Sequence, residues 1–408
     1  MNDNIVVVQG AKKMKKHSIL YLITITTILT GCLSEKQSKE DLPYIDVKKN
    51  YPVKEIFLTD IADVTYVHLN TENDDYLYQG QINYITENTI VIRDNFSGSI
   101  LFFTKDGTPK SQFNRKGNGP EEYFNVNQII YDEESDEVFV TNRNIILIYS
   151  STGVYKRIIV LSQGTVFNPI VSFDEHSLFF YDMNNLNVPA RRIGEQLGML
   201  LDESNYSSPF VRISKTDGTV LDCVELPTNQ ILLRDETEGI QGRTSRIINC
   251  SEGLLLCNPE TDTVFLYKKD KPLTPVIHKI PFVSSTDPMT YLNNCADVGN
   301  YQFMEVFTVR FEEGAFPFPA KYYMRDKKTG EIFHPKILLP DYKGKEFFIS
   351  PVKSGLYYND ENVPYFELSL IELKQAYRDN KLSGKLKELV AKLNEDTDNN
   401  VFMLVDFK

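Results

Sequence analysis

Five times between residues 99 and 338 the chain repeats one pattern: an apolar strand, a tight polar turn and a returning strand. "SILFFTKDGTPKSQF" (99–113), "NIILIYSSTGVYKRIIV" (144–160), "FVRISKTDGTVLDCVEL" (210–226) and "KYYMRDKKTGEIFHPKIL" (321–338) each place a glycine where the turn needs positive φ. "TVFLYKKDKPLTPVIHKI" (263–280) has Lys269-Asp270 there instead. From Gly107 through Gly153, Gly218 and Asp270 to Gly330 the intervals are 46, 65, 52 and 60 residues. Another apolar pair precedes the hairpin, as in "QIIYDEESDEVFVTN" (128–142) and "RIINCSEGLLLCN" (246–258), so the repeating unit is four strands. A period of that length, in strands rich in Val, Ile, Tyr and Phe, predicts propeller blades with insertions, not a sandwich.

The expected fold is therefore all-β, a six-bladed β-propeller of four-stranded antiparallel blades, with seven blades as the alternative count. The sixth blade is expected to close the ring. "FFISPVKSGLYYN" (347–359) would supply two inner strands, "VFMLVDFK" (401–408) a third, and "VTYVHL" (64–69) the outer strand from the other end of the chain. Joining the termini in one blade removes the open edges of a ring of sheets. Within 369–394, Leu382, Leu386, Leu389, Val390 and Leu393 recur at helical spacing, which predicts an amphipathic helix inserted in the last blade.

Ahead of the repeats, Lys12, Lys13, Lys15 and Lys16 precede an apolar run from Ile19 to Leu29 that is too short for a spanning helix and reads as a signal peptide. Met14 is the expected initiator. The run ends in Leu29-Thr30-Gly31-Cys32, which resembles the lipobox of bacterial lipoproteins and implies a lipid on Cys32. Residues 1–31 are thus expected as the signal peptide, 32–50 as a polar tether and 51–408 as the propeller. The full chain carries a formal charge of −12. Cleavage before Cys32 removes four lysines and Asp3 and leaves −15, which disfavours nucleic acid and anionic headgroups. Membrane attachment would then come from lipid.

"NRKGNGPEEY" (114–123) is the densest polar stretch at an expected corner between blades. A phosphate loop would lead into a helix, whereas this stretch leads into a strand pair, and Pro120 removes an amide donor. Gly117 and Gly119 fit a sharp turn between an outer strand and the next inner strand. Arg115, Lys116, Glu121, Glu122 and Tyr123 are the candidate ligand-binding residues; the alternative is a structural role, with Arg or Lys pairing to Glu between neighbouring blades. "GNGPEEYFNVNQIIYDEESDEVFVTNRNIILIYSSTG" (117–153) resembles the NHL-type propeller repeat. With the lipobox, the segment "YIDVKKNYPVKEIFLTDIADVTYVHLNT" (44–71) and this corner, the chain resembles the six-bladed β-propeller lipoproteins of Bacteroidetes. That resemblance implies fold and an envelope location, the outer membrane first, more than chemistry.

No catalytic motif is present. His68, His176, His278 and His334 are far apart and show no HExxH pattern, and G-x-S-x-G does not occur. "DEESDE" (132–137) and Asn394-Glu395-Asp396-Thr397-Asp398 lack the EF-hand order, so both read as solvated turns. Cys223, Cys250, Cys257 and Cys295 show no zinc spacing and read as thiols. No metal or other cofactor is expected. The expected partners are the membrane, through Cys32, and an envelope protein, peptide or glycan bound at a mouth of the central channel. The absence of Trp, against 23 Tyr and 25 Phe, weighs against a glycan platform. The expected function is a non-catalytic binding or scaffold module; the alternative is a propeller hydrolase or lyase with a channel-centred site, with or without a metal.

Overall fold

The computed structural model describes residues 42–71, 74–182, 206–227, 247–258, 261–308, 319–350 and 364–408, which belong to one compact unit, Leu42–Lys408. The signal peptide, Cys32 and most of the tether lie outside the described residues. Its N-terminal segment runs β1 (Tyr44–Asp46), β2 (Val53–Phe57), the short helix α1 (Leu58–Ile61) and β3 (Ala62–His68). Blade 1 is β4 (Gly80–Ile85), β5 (Thr89–Asp94), β6 (Ile100–Thr104) and β7 (Pro109–Phe113). Blade 2 is β8 (Ile129–Asp132), β9 (Glu137–Asn142), β10 (Ile145–Tyr149) and β11 (Tyr155–Val160). Blade 3 is β12 (Phe167–Asp174), β13 (Ser177–Asp182), β14 (Phe210–Ser214) and β15 (Val220–Val224). Blade 4 is β16 (Ile247–Cys250), β17 (Gly253–Leu256), β18 (Thr263–Tyr267) and β19 (Thr274–Ile280). Blade 5 is β20 (Thr290–Val298), β21 (Tyr301–Thr308), β22 (Ala320–Asp326) and β23 (Ile332–Leu339), with β24 (Tyr342–Phe347) also on β23. Blade 6 holds β25 (Tyr365–Leu368), β26 (Val401–Phe407) and β3, and between β25 and β26 come α2 (Leu370–Arg378) and α3 (Gly384–Lys392).

Six sheets, antiparallel apart from the added strands β1 and β2, make six blades, and β3 from the N-terminal segment pairs with β26 over Ala62–His68, so the two ends of the unit close one blade. The blades read as unbroken apolar runs because both faces of each sheet are covered. Side chains alternate across a strand, so neighbours in sequence pack in opposite directions. Phe102 of β6 packs with blade 2 residues such as Tyr131 and Phe139, while Phe103 next to it packs with Phe402 and Leu404 of blade 6. Phe180 and Phe179 divide likewise between blades 2 and 4. The remaining clusters join blade 4 to blade 5 and blade 5 to blade 6, so apolar packing is continuous around the ring.

The repeated turns are where the glycine spacing puts them. Gly107, Gly153, Gly218 and Gly330 have φ of 91°, 79°, 77° and 73°, and Asp270 takes 57° in the fourth hairpin. Asp tolerates this left-handed region better than most residues. At Gly153 a side chain would also collide with Phe113 of blade 1, 2.5 Å from the added carbon.

Three expectations change. Ordered pairing begins before residue 51: Tyr44–Asp46, inside the expected tether, pairs parallel with β19, and β2 pairs parallel with β23. Each adds an outer strand, because a polar but extended segment satisfies its backbone on an open edge. In the sixth blade Phe347 ends β24 on the fifth blade's sheet, residues 351–363 lie outside the described residues, and β25 is a strand the sequence reading did not anticipate. The single expected helix is two. Asn380, at φ 55°, breaks the run, and Lys381 and Leu382 pair with Lys343 and Tyr342. Leu373, Leu386 and Val390 still turn inward together, which is the amphipathic pattern of the sequence split between two elements.

Candidate functional site

Across blade 1 the β4–β5 turn (Thr86–Asn88) marks a first end of the ring and the β5–β6 turn (Asn95–Ser99) a second. In blade 1, β5 spans this distance with six residues, about 20 Å at the rise of a strand. The two ends carry different side chains.

The corner 114–123 lies at the second end, between β7 and β8, and its polar groups are spent mostly on its own backbone. Tyr123 is fully buried; its hydroxyl accepts from the Arg115 amide at 3.0 Å and donates to the Gly98 carbonyl at 2.8 Å. Burial, partly offset by the Arg115 amide and guanidinium, pushes its phenol up to about 12. The Arg115 guanidinium donates to the Gly153 carbonyl of blade 2 at 2.9 Å. Glu122 accepts from the Gly119 amide at 2.8 Å, and its carboxylate occupies the space a side chain at Gly117 would need. The Glu121 carbonyl accepts from Tyr149 at 2.8 Å. The corner thus makes contacts between blades by side chains meeting backbone, and among the described residues no Arg–Glu or Lys–Glu pair joins these five. Of the five candidates, Lys116 and Tyr123 also line a cavity of about 400 Å³ with Arg93, Asn95 and Phe124. Arg115, Glu121 and Glu122 do not.

At the first end lies a larger cavity, about 670 Å³, lined by the inner-hairpin turns of blades 1 to 4. Glu87, Asp132, Glu133, Glu134, Asp174 and Glu175 give it a carboxylate wall. Three of these are engaged. Asp132 takes the Lys215 ammonium of blade 3 at 2.9 Å; burial raises its carboxyl, but the lysine and the Ser135 amide outweigh that and hold it below the usual range. Glu133 ties blade 2 to blade 1 by accepting from the Thr86 hydroxyl at 2.7 Å and Thr89 at 2.5 Å, and its carboxyl is lowered by those bonds and Lys110 against the opposing effect of burial. Asp174 accepts from the His176 amide and the Ser177 hydroxyl, which overcome burial in the same way. Glu87, Glu134 and Glu175 are exposed. The wall is thus negative at neutral pH, half of it built in and half facing solvent.

Sequence reasoning missed this mouth because its parts come from turns far apart in the chain; only the ring brings them together. The one partial signal was "DEESDE" (132–137), whose reading as a solvated turn fits Glu134 but not Asp132 or Glu133. The histidines stay dispersed. His68 is 3.6 Å from Asp398, His334 is 2.7 Å from the Tyr322 carbonyl, His278 packs beside Tyr44, and His176 stands exposed beside Glu175. Among the described residues no group of three His, Cys, Asp or Glu is placed to hold a metal ion. Cys250 lies at the mouth, its thiol pushed up by burial, and Cys223, Cys250, Cys257 and Cys295 form no disulfide. No helix among the described residues is long and apolar enough to cross a membrane.

Residues 33–222 match a protein-family model, DUF5128, described as a 6-bladed beta-propeller. A search of curated proteins finds no match. Among solved structures, one from Bacteroides fragilis, provisionally described as an exported protein, superposes with a TM-score of 0.59 at 14% identity, over 90% of this chain and 99% of that one. A DUF4221-family member from Bacteroides vulgatus gives 0.46 at 10% identity, over 85% and 97%. At 14% identity the likeness to the Bacteroides fragilis structure speaks to fold alone. The six sheets closed by β3 and the match over 33–222 show that the chain folds as a six-bladed β-propeller.

Proposed function

We propose that the protein is a lipid-anchored propeller of the bacterial cell envelope that binds a basic segment of a partner protein at the carboxylate-walled mouth, without a catalytic step. The observation that carries this reading is the cavity of about 670 Å³, shared by four blades and presenting Glu87, Glu134 and Glu175 to solvent beside carboxylates already bonded within the frame. A concave site several blades wide suits an extended segment, and a negative wall selects lysine and arginine by attraction and rejects acidic partners. The envelope location is supported by the lysine-rich leader and the Leu-Thr-Gly-Cys stretch ending at Cys32, and by the description of the Bacteroides fragilis relative as exported.

The test is fluorescence anisotropy of a labelled oligolysine peptide against the full chain, with a glycine-serine peptide of equal length as control. Three rim carboxylates at roughly 0.2–1 kcal/mol each predict that the combined Glu87→Gln, Glu134→Gln and Glu175→Gln variant binds about tenfold more weakly, with less dependence on salt. Unchanged affinity in that variant would remove the mouth from the binding account. The anchor is tested separately: Cys32→Ala should abolish palmitate labelling and release the protein from the membrane fraction, and retention of both would refute it.

A further inference from the structure

The opposite end of blades 1 and 2 holds a second cavity whose chemistry is different. It measures about 400 Å³ and is walled by the β5–β6 turn and by the stretch that follows the corner, Phe124 to Asn127. Phe124 is 61% exposed, which gives the cavity a flat apolar face in water, and Phe96 on the facing turn is 83% exposed. The amides are arranged as a pair. Asn125 donates through Nδ2 to Asn127 Oδ1 at 3.1 Å, which directs Asn125 Oδ1 as an acceptor and Asn127 Nδ2 as a donor to other partners. Two adjacent hydroxyls, each both donor and acceptor, match that pair.

The charges in the cavity favour an anion. Asp94 is consumed: it accepts from the amides of Gln79, Phe96 and Ser97 and from the Ser97 hydroxyl, and those bonds hold its carboxyl low although burial opposes them. The Arg93 guanidinium reaches the carbonyls of Val126 and Asn127. Lys116 lies along Gly98, where any side chain would meet its methylenes at 2.8 Å, and among the described residues its ammonium has no ion-pair partner. A satisfied carboxylate thus faces two cations, one of them uncommitted.

We infer that this cavity is a saccharide site for a sugar carrying a carboxylate. The apolar face of the pyranose ring lies on Phe124, neighbouring hydroxyls bond Asn125 and Asn127, and the carboxylate meets Lys116. The site is independent of the mouth proposed above, which opens at the other end of β5. It also answers the lack of tryptophan: one exposed phenylalanine with a polar pair beside it is enough for a platform.

The experiment is calorimetric titration of the full chain with trigalacturonate and with its methyl ester, in which methylation removes the carboxylate charge. The wild type should bind both, the acid more tightly. Phe124→Ala, at an exposed position that does not threaten folding, should weaken both by about tenfold, the upper range of an aromatic contact. Lys116→Gln should bring the acid down to the ester and leave the ester unchanged. Glu134→Gln, at the other end, should change neither. Absence of binding to both sugars at about 5 mM, a dissociation free energy of under about 3 kcal/mol, overturns the site. So does unaltered binding by Phe124→Ala, or a loss in Glu134→Gln. If Lys116→Gln keeps the preference for the acid, the assignment of an acidic sugar is wrong.

Discussion

Replacing Tyr123 with phenylalanine distinguishes a corner that holds blades together from one that holds a ligand. The ring is fully buried and meets Tyr149 edge-on at 6.1 Å, and the substitution keeps that contact. What it removes is the hydroxyl, and with it the bond from the Arg115 amide and the bond to the Gly98 carbonyl. At about 0.5–1.5 kcal/mol net for each bond, the cost is about 1–3 kcal/mol, toward the upper end because both backbone groups are left without that partner. For the unit Leu42–Lys408, an unfolding entropy of about 2.1 cal/mol/K per residue makes one degree worth about 0.8 kcal/mol, so the midpoint should fall by about 1–4 °C. The assay is urea and thermal denaturation of the full chain, with Glu122→Gln alongside. Glu122 holds one exposed amide, and its loss should cost less than about 1 kcal/mol. If Tyr123→Phe is as stable as the wild type, the hydroxyl does not brace the corner. If stability is kept and sugar binding is lost, Tyr123 belongs to the ligand.

Three further outcomes follow from the ring. Phe402→Ala, at a fully buried position where β26 packs on blade 1, should destabilise the fold by about 3–5 kcal/mol in denaturant titration, and a cost under about 1 kcal/mol would show that the closure carries little load. Lys215→Met should cost about 3–5 kcal/mol because it strands Asp132 in the interface of blades 2 and 3, whereas Lys215→Met with Asp132→Asn should cost less, and an additive double variant would refute the pairing. Burial pushes the phenols of Tyr123, Tyr131 and Tyr323 up to about 12. The folded state then keeps protons that the unfolded chain releases above about pH 10, so stability should be flat below that pH and fall as pH rises from 10 toward 12; a flat profile to pH 12 would contradict it.

The parts of the fold that were legible are those set by a few neighbouring residues. Gly107, Gly153, Gly218, Gly330 and Asp270 mark hairpins because positive φ is a local demand, and they came out with φ between 57° and 91°. The closure by "VTYVHL" was legible because an apolar strand without a hairpin partner must pair elsewhere. Less visible were β1 and β2, short and half polar, whose strand state depends on the open edges of β19 and β23. The helix break at Asn380 was hidden by a leucine spacing that continues through it. At the corner, the density of charges in sequence gave no hint that Arg115 and Glu122 would bind backbone, since a side chain's partner is a tertiary fact. The mouth was invisible for the same reason, being assembled from turns of four blades.

The ring also limits where recognition can happen. Both faces of the blades are packed on neighbours, so a change there costs cavity or overpacking energy before it alters a ligand. The outer edges of blades 4 and 5 are taken by β1 and β2, and the edge of blade 1 begins with Pro109 and carries Lys110, devices that discourage added strands. What remains is the two ends. There the backbone path is set by the strands while turn side chains such as Glu134 or Phe124 are exposed and can be exchanged at little cost to stability. A propeller at 14% identity can therefore share this fold and none of its end chemistry, and the two ends of a single ring can differ as much from each other: a carboxylate wall at one, an aromatic, amide and lysine pocket at the other.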